Sequence, residues 1–171
     1  MIEEEKYEFK KYDRKYENQF RVEKKLIQKA IKNATIEHVG SSAVPGLGGK
    51  GIIDIGIGVK KSDILHSKNK LEKIGFEFRP NGGDKNRLFF RKIIKYAGKE
   101  RRIHIQLVEI NGKSWEEMLK FRDYLRNNKG VQEEYAKVKK EGSTYAKGEG
   151  EKYRQYKKEF VDALVKEAMK K

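Results

Sequence analysis

The sequence predicts an α+β fold in which one helix precedes a small mixed β-sheet and a helical section follows it. Three observations predict this. An apolar stripe of helical period runs through about residues 13–33, short β-branched runs bounded by glycine-rich turns fill about 34–112, and helical spacing returns over about 113–171. With 171 residues and no internal repeat, the chain is expected to form one domain, 1–171, with enough interior to need no covalent staples.

The first helix is read from Tyr16, Phe20, Leu26, Ile27, Ala30 and Ile31, whose spacing puts them on one face with charges on the other. Strands are expected over 35–39, 52–59, 76–79, 87–94 and 102–110. A helix over about 62–74 separates the second strand from the third, so crossover and hairpin connections are both expected. Pro80-Asn81-Gly82-Gly83-Asp84 and Tyr96-Ala97-Gly98-Lys99 supply turn chemistry between antiparallel strands. Ser114-Trp115-Glu116-Glu117 reads as a capping box opening a helix to about Asn128, which Gly130 would end. Helices over about 131–141 and 151–169 complete the chain, with Gly142, Gly148 and Gly150 expected in a flexible linker between them.

Lysine and arginine total 41 against 26 aspartates and glutamates, a formal charge of +15. Such a surface attracts phosphates. The basic doublets are dispersed, however, and no DNA-binding motif is present, so the charge reads as solvated Lys/Glu ion networks before nucleic-acid binding. The absence of cysteine excludes disulfides and thiolate chemistry. No signal-peptide core and no apolar run of transmembrane length occurs, and a cytoplasmic protein without a membrane partner is expected.

The candidate site lies where charge gives way to glycine. Ile53, Ile55, Ile57 and Val59 alternate with Asp54, Gly56 and Gly58, so one strand face is apolar and the other carries a carboxylate beside two positions without side chains. Glycine weakens a strand, and close approach of a ligand to the backbone is one reason to keep it. Upstream, the Gly40-Ser41-Ser42 turn and Lys50 offer N–H groups, hydroxyls and a point charge to a phosphate, although neither the GxxxxGK[ST] nor the GxGxxG spacing is present. His104 and Gln106 share one face of a later strand, and Arg87 and Arg91 can present guanidinium forks from its neighbour. Glu37 and His38 are adjacent on a strand and must point to opposite faces. A zinc site is not expected, because His66 falls in a helix and no ligand spacing fits.

A Gly-Ser turn followed some dozen residues on by a strand aspartate resembles the signature of the DNA polymerase beta-like nucleotidyltransferase superfamily. The longer wording resembles one of its branches, the GrpB family. The 37–47 run EHVGSSAVPGL is similar to that family's EHIGSTAVPGL, and Lys50 with Ile52-Ile53-Asp54-Ile55 is similar to its AKPIIDI. Arg87, Phe89-Phe90-Arg91, His104-Ile105-Gln106-Leu107, Trp115, the 121–126 run FRDYLR, and Tyr153 with Lys157 and Phe160 recur in the family's order. The resemblance implies a nucleotidyltransferase-like fold and a nucleotide or related phosphorylated ligand bound with magnesium. Taken with the residue reading above, the expected catalytic residues are Asp54 and His104, the expected phosphate-binding residues Gly40, Ser41, Ser42, Lys50, Arg87 and Arg91, and the expected metal ligands Asp54, Glu37 and Gln106, with His104, Gln106 or Glu37 completing the site around Asp54. The chemistry implied is nucleotidyl transfer to an acceptor. The alternative is a non-catalytic module: Gly56 stands where the superfamily has a second carboxylate, and relatives fused to dephospho-coenzyme A kinase imply a coenzyme A-related ligand.

Overall fold

The computed structural model describes residues 8–171. Helix α1 (Lys15–Ala30) leads to β1 (Thr35–Val39), a 3₁₀ turn at Ser41–Ala43 and β2 (Ile53–Val59). A second 3₁₀ turn enters α2 (Ile64–Lys73), followed by β3 (Glu77–Phe78), β4 (Leu88–Tyr96) and β5 (Lys99–Glu109). Helices α3 (Lys113–Asn127), α4 (Lys129–Ala146) and α5 (Gly150–Met169) form the C-terminal section. The five strands lie in the order β1-β2-β5-β4-β3, with β2 and β5 parallel and the other neighbours antiparallel. This is the mixed α+β sheet expected.

Strand alternation divides the sheet into two unlike faces. Ile53, Ile55 and Ile57 pair in register with Ile103, Ile105 and Leu107, and all six are buried in one cluster with Phe20, Ile27, Leu71 and Phe76. Burying each such aliphatic side chain contributes roughly 1.5–3 kcal/mol, so this face anchors the sheet to α1 and the segment around α2. The opposite face carries Asp54, His104 and Gln106, and α3 covers part of it through Trp115 and Met118 packed on Val39 and Val108. A further cluster joins Val44 and Leu47 of the glycine-rich loop to Leu125, Tyr135 and Leu164 of the three C-terminal helices. That cluster fixes the loop against α3, α4 and α5.

Several local expectations are corrected. Ser114 is not the cap of α3: Gly112 precedes the first helical residue, and Glu117 reaches across to Arg87 instead of back to the backbone. Gly130 lies in the first turn of α4, while Asn128, with its amide on the Tyr124 carbonyl at 2.7 Å, marks the break. Gly142 sits inside α4, where a methyl group would stand 3.0 Å from the Tyr156 ring and 3.4 Å from that of Tyr153. It serves the close crossing of α4 and α5. The turn between those helices is made by Lys147 and Gly148, both with positive φ.

Candidate functional site

Gly40 turns the chain out of β1 with φ +70° and passes directly beside the Asp54 side chain. The two serines that follow then divide. Ser42 is buried and bridges the strands, its hydroxyl 2.9 Å from His38 Nε2 and accepting the Asp54 N–H at 3.4 Å. Ser41 lines a cavity of about 300 Å³ together with Gly40, Lys50, Asp54, Arg87, His104 and Gln106. Seven of the residues anticipated from the sequence therefore share one cavity, at the small end of those that hold ligands.

The other anticipated residues are placed elsewhere. Glu37 accepts a hydrogen bond from Arg122 at 2.8 Å, and Arg122 also donates to the His38 carbonyl and to Asp123. His38 faces α1, its ring stacked on Phe20 at 4.7 Å. Burial, then the charges of Arg126 and Arg122, push the His38 imidazole down to about 4, so it is neutral near pH 7. Arg91 lies beside His104 in the sheet register but pairs with Glu77 at 3.4 Å, outside the cavity lining. Arg87 is held at the wall by two bonds, to Gln106 Oε1 at 3.0 Å and to Glu117 Oε2 at 2.7 Å.

The glycines do different work from that expected. Beside Gly56 the Met118 methyl stands 3.3 Å from where a Cβ would be, and beside Gly58 Ile110 and the Trp115 ring stand at 2.6 and 3.1 Å. The vacant positions on β2 are filled by the α3 region, so they seat that helix on the sheet and are not the ligand space. Gly48 accommodates the Phe9 ring, and Gly49 exchanges backbone hydrogen bonds with Lys10 at 2.6 and 2.9 Å. The Gly49 N–H is thus committed to the chain and does not face a phosphate.

More of the cavity lining comes from the C-terminal helices: Tyr153 and Lys157 stand out in the sequence only as part of the family resemblance, with no site role, and Tyr135 and Lys139 are not anticipated from it. Tyr135 and Lys139 on α4, and Tyr153 and Lys157 on α5, line the cavity with Asp54. Each pair is spaced Tyr-x-x-x-Lys, one helical turn apart, and each ammonium lies over its own tyrosine ring, at 4.4 and 4.8 Å. The signal existed in the repeated spacing, but lysines are so frequent here that Lys139 did not stand out and Lys157 was given no role in the site.

Electrostatically the cavity is a single carboxylate among ammonium groups. Burial pushes the Asp54 carboxyl up to about 6, opposed by Lys50, Lys139 and Lys157. Those three act on the carboxylate by Coulomb attraction. Burial, then Lys157, hold Lys139 well below the usual lysine range while Asp54 pulls the other way, and burial likewise lowers Lys157. His104 Nδ1 is 3.8 Å from Asp54 Oδ1.

A two-ion magnesium centre does not suit this donor set. The ion takes an octahedron of oxygens, and a two-ion centre needs carboxylates shared about 4 Å apart. Here Glu37 is bound to Arg122, the Gln106 oxygen to Arg87, and no group of three or more acidic or histidine side chains among the described residues is placed to hold a metal. Of the expected metal set, Asp54 and Gln106 share the cavity, with the Gln106 oxygen engaged by Arg87, and Glu37 lies outside it.

Residues 6–167 match the family described as GrpB protein. The chain belongs to the GrpB family. A UPF0157 protein of Halalkalibacterium halodurans is 32% identical over 160 residues, spanning 92% of this chain and 80% of the relative. The glutamate-rich protein GrpB of Alkalihalophilus pseudofirmus is 30% identical over 152 residues, spanning 86% and 87%. The GrpB crystal structure from Enterococcus faecalis superposes with a TM-score of 0.82 at 28% identity, over 95% of this chain and 98% of that one. Beyond the family, Cid1 in complex with the UTP analog UMPNPP superposes with a TM-score of 0.51 at 18% identity, over 85% of this chain and 48% of Cid1. The GrpB fold of this chain is therefore nucleotidyltransferase-like. No helix among the described residues is long and apolar enough to cross a membrane.

Proposed function

We propose that the protein binds a nucleotide or a related phosphorylated small molecule in the Asp54 cavity. The observation that carries this is the enclosure of Ser41, Lys50, Lys139 and Lys157 around one cavity on a nucleotidyltransferase-like sheet. Desolvated cations confined in a cleft are costly unless an anion meets them, and phosphate is the anion that hydroxyl and ammonium donors recognise together. The Cid1 complex, whose ligand is a UTP analog, supports a nucleotide as the class. Arg87, braced by Gln106 and Glu117, gives the cavity a fixed guanidinium edge. The geometry favours binding over nucleotidyl transfer, because Asp54 has no second carboxylate at Gly56.

Isothermal calorimetry with ATP, UTP, AMP and coenzyme A tests the reading, with adenosine as the unphosphorylated control. At least one phosphorylated compound is expected to bind with 1:1 stoichiometry and at least tenfold more tightly than adenosine. Saturable binding by none of the four would overturn it. A salt-sensitive affinity for generic single-stranded RNA, in place of small-molecule binding, would move the assignment to the basic outer surface.

A further inference from the structure

Resting on the phosphorylated-ligand reading, we propose that the ammonium groups of Lys139 and Lys157 hold the ligand's phosphate in place of a divalent cation, making GrpB-type recognition in this chain metal-independent. The argument begins at Gly49. A methyl group there would lie 2.8 Å from Ser41 Oγ and 3.1 Å from Lys139 Nζ, so hydroxyl and ammonium converge on one small space that only glycine leaves open. Lys139 is anchored at that point. Its Nζ donates to the Gly48 carbonyl at 3.2 Å and lies over the Tyr135 ring at 4.4 Å. An ammonium has three donors, and one directed bond leaves capacity for an oxyanion.

Lys157 approaches from α5, and Lys50 Nζ stands 5.3 Å from the same Tyr153 ring over which Lys157 lies. The aromatic ring keeps these chains extended toward the cavity, so the positive charge is positioned before a ligand arrives. Charge placed in advance around a phosphate is what magnesium supplies in other phosphate sites. Here the side chains occupy that role, and an added divalent cation would meet ammonium groups where it needs oxygens. The ligand class is an anion whose phosphate engages protein donors directly: inorganic phosphate, a phosphomonoester such as AMP, or an uncomplexed nucleotide.

The test is calorimetric titration of AMP, ATP and inorganic phosphate in EDTA and again with excess magnesium. Binding is expected in EDTA, with affinity for AMP changing less than twofold when magnesium is added. Lys139→Met and Lys157→Met should each weaken AMP at least tenfold, and Gly49→Ala, which crowds both Ser41 and Lys139, should weaken it as well. Methionine in place of the buried ammonium relieves desolvation but gives up the attraction to Asp54 and the bond to Gly48, so the melting temperature of Lys139→Met is measured beside its affinity. This keeps loss of binding separate from loss of fold. Nucleotide binding that appears only with magnesium would overturn this inference while leaving the phosphorylated-ligand reading intact. Metal-free binding unaffected by both methionine variants would also overturn it. No binding by any phosphorylated probe in either buffer would overturn the underlying reading itself.

Discussion

Gly40 and Asp54 are in mutual contact to the point that a methyl group on Gly40 would lie 2.5 Å from Asp54 Oδ2. The carboxylate closes over the only residue at the β1 exit that lacks a side chain, and Gly40 itself holds a φ of +70°. Gly40→Ala is therefore expected to lose about 2–4 kcal/mol, from the left-handed conformation and from the clash together. Chemical denaturation of Gly40→Ala, Asp54→Ala and the double variant separates the two. The clash portion should vanish in the double variant, giving a coupling of about 1 kcal/mol or more. Strict additivity would show that the contact carries no strain.

His38 and Asp54 make opposite contributions to stability against pH. The folded His38 imidazole is lowered from 6.5 to about 4, so as pH falls through that window the unfolded chain binds a proton that the folded one refuses. Stability present above pH 6.5 is lost, by up to about 3 kcal/mol. Asp54 is raised from 3.8 to about 6, so its buried charge penalises the fold above that value and the penalty is relieved on acidification. Asp54→Asn should gain about 2–3 kcal/mol at pH 7.5 and fall more steeply toward pH 4 than the parent. His38→Gln should instead flatten the acid loss. Urea titrations between pH 4 and 7.5 would refute the pair if both variants kept the parental slope.

The roles assigned to the β2 glycines can be separated by one methyl group. Gly58→Ala places a Cβ against Ile110 and the Trp115 ring, and is expected to cost about 1–3 kcal/mol through displacement of α3. Ligand affinity should fall by less than tenfold, because neither Gly58 nor Trp115 lines the cavity and the change reaches it only through Glu117 and Met118 of the same helix. A selective loss of binding with the melting temperature unchanged would return the glycine to the site.

The alternation of isoleucines with Asp54, Gly56 and Gly58 was enough to orient β2, since a period of two leaves no choice of face. The same rule separates Glu37 from His38. Chain geometry could not say what would fill the glycine positions, because Trp115 and Met118 arrive from about sixty residues downstream, on a helix whose docking depends on the whole fold. The cavity's basic wall was obscured for a related reason. Lys139 and Lys157 become distinctive only when α4 and α5 bury them, and on a bare helix they look like any solvated lysine. Capping followed the same pattern: Ser114 has the right spacing to Glu117, but the carboxylate gains more from Arg87 than from a backbone N–H.

Proton movement on ligand binding distinguishes a lysine-held phosphate from a metal-held one. Lys139 is faced by Asp54 from β2, Lys50 from the loop before it, His104 from β5, Tyr135 from its own helix, and Tyr153 and Lys157 from α5, with Arg154 adding repulsion at Lys157. Burial lowers Lys139 and Lys157 from the usual lysine range, with Lys157 and Lys50 adding to it at Lys139 and Arg154 at Lys157, so the empty cavity holds less than its full complement of protons toward alkaline pH. An arriving phosphate raises both lysines, and also Asp54, so binding must take up protons. Affinity for AMP should then rise as pH falls from about 9 toward 7, and calorimetry in buffers of different ionisation enthalpy should report net uptake. A bound divalent cation has the opposite sign, since its positive charge lowers Asp54 and both lysines and drives protons off. Net proton release on AMP binding, or an affinity that grows with pH, would be incompatible with ammonium groups as the phosphate's principal partners.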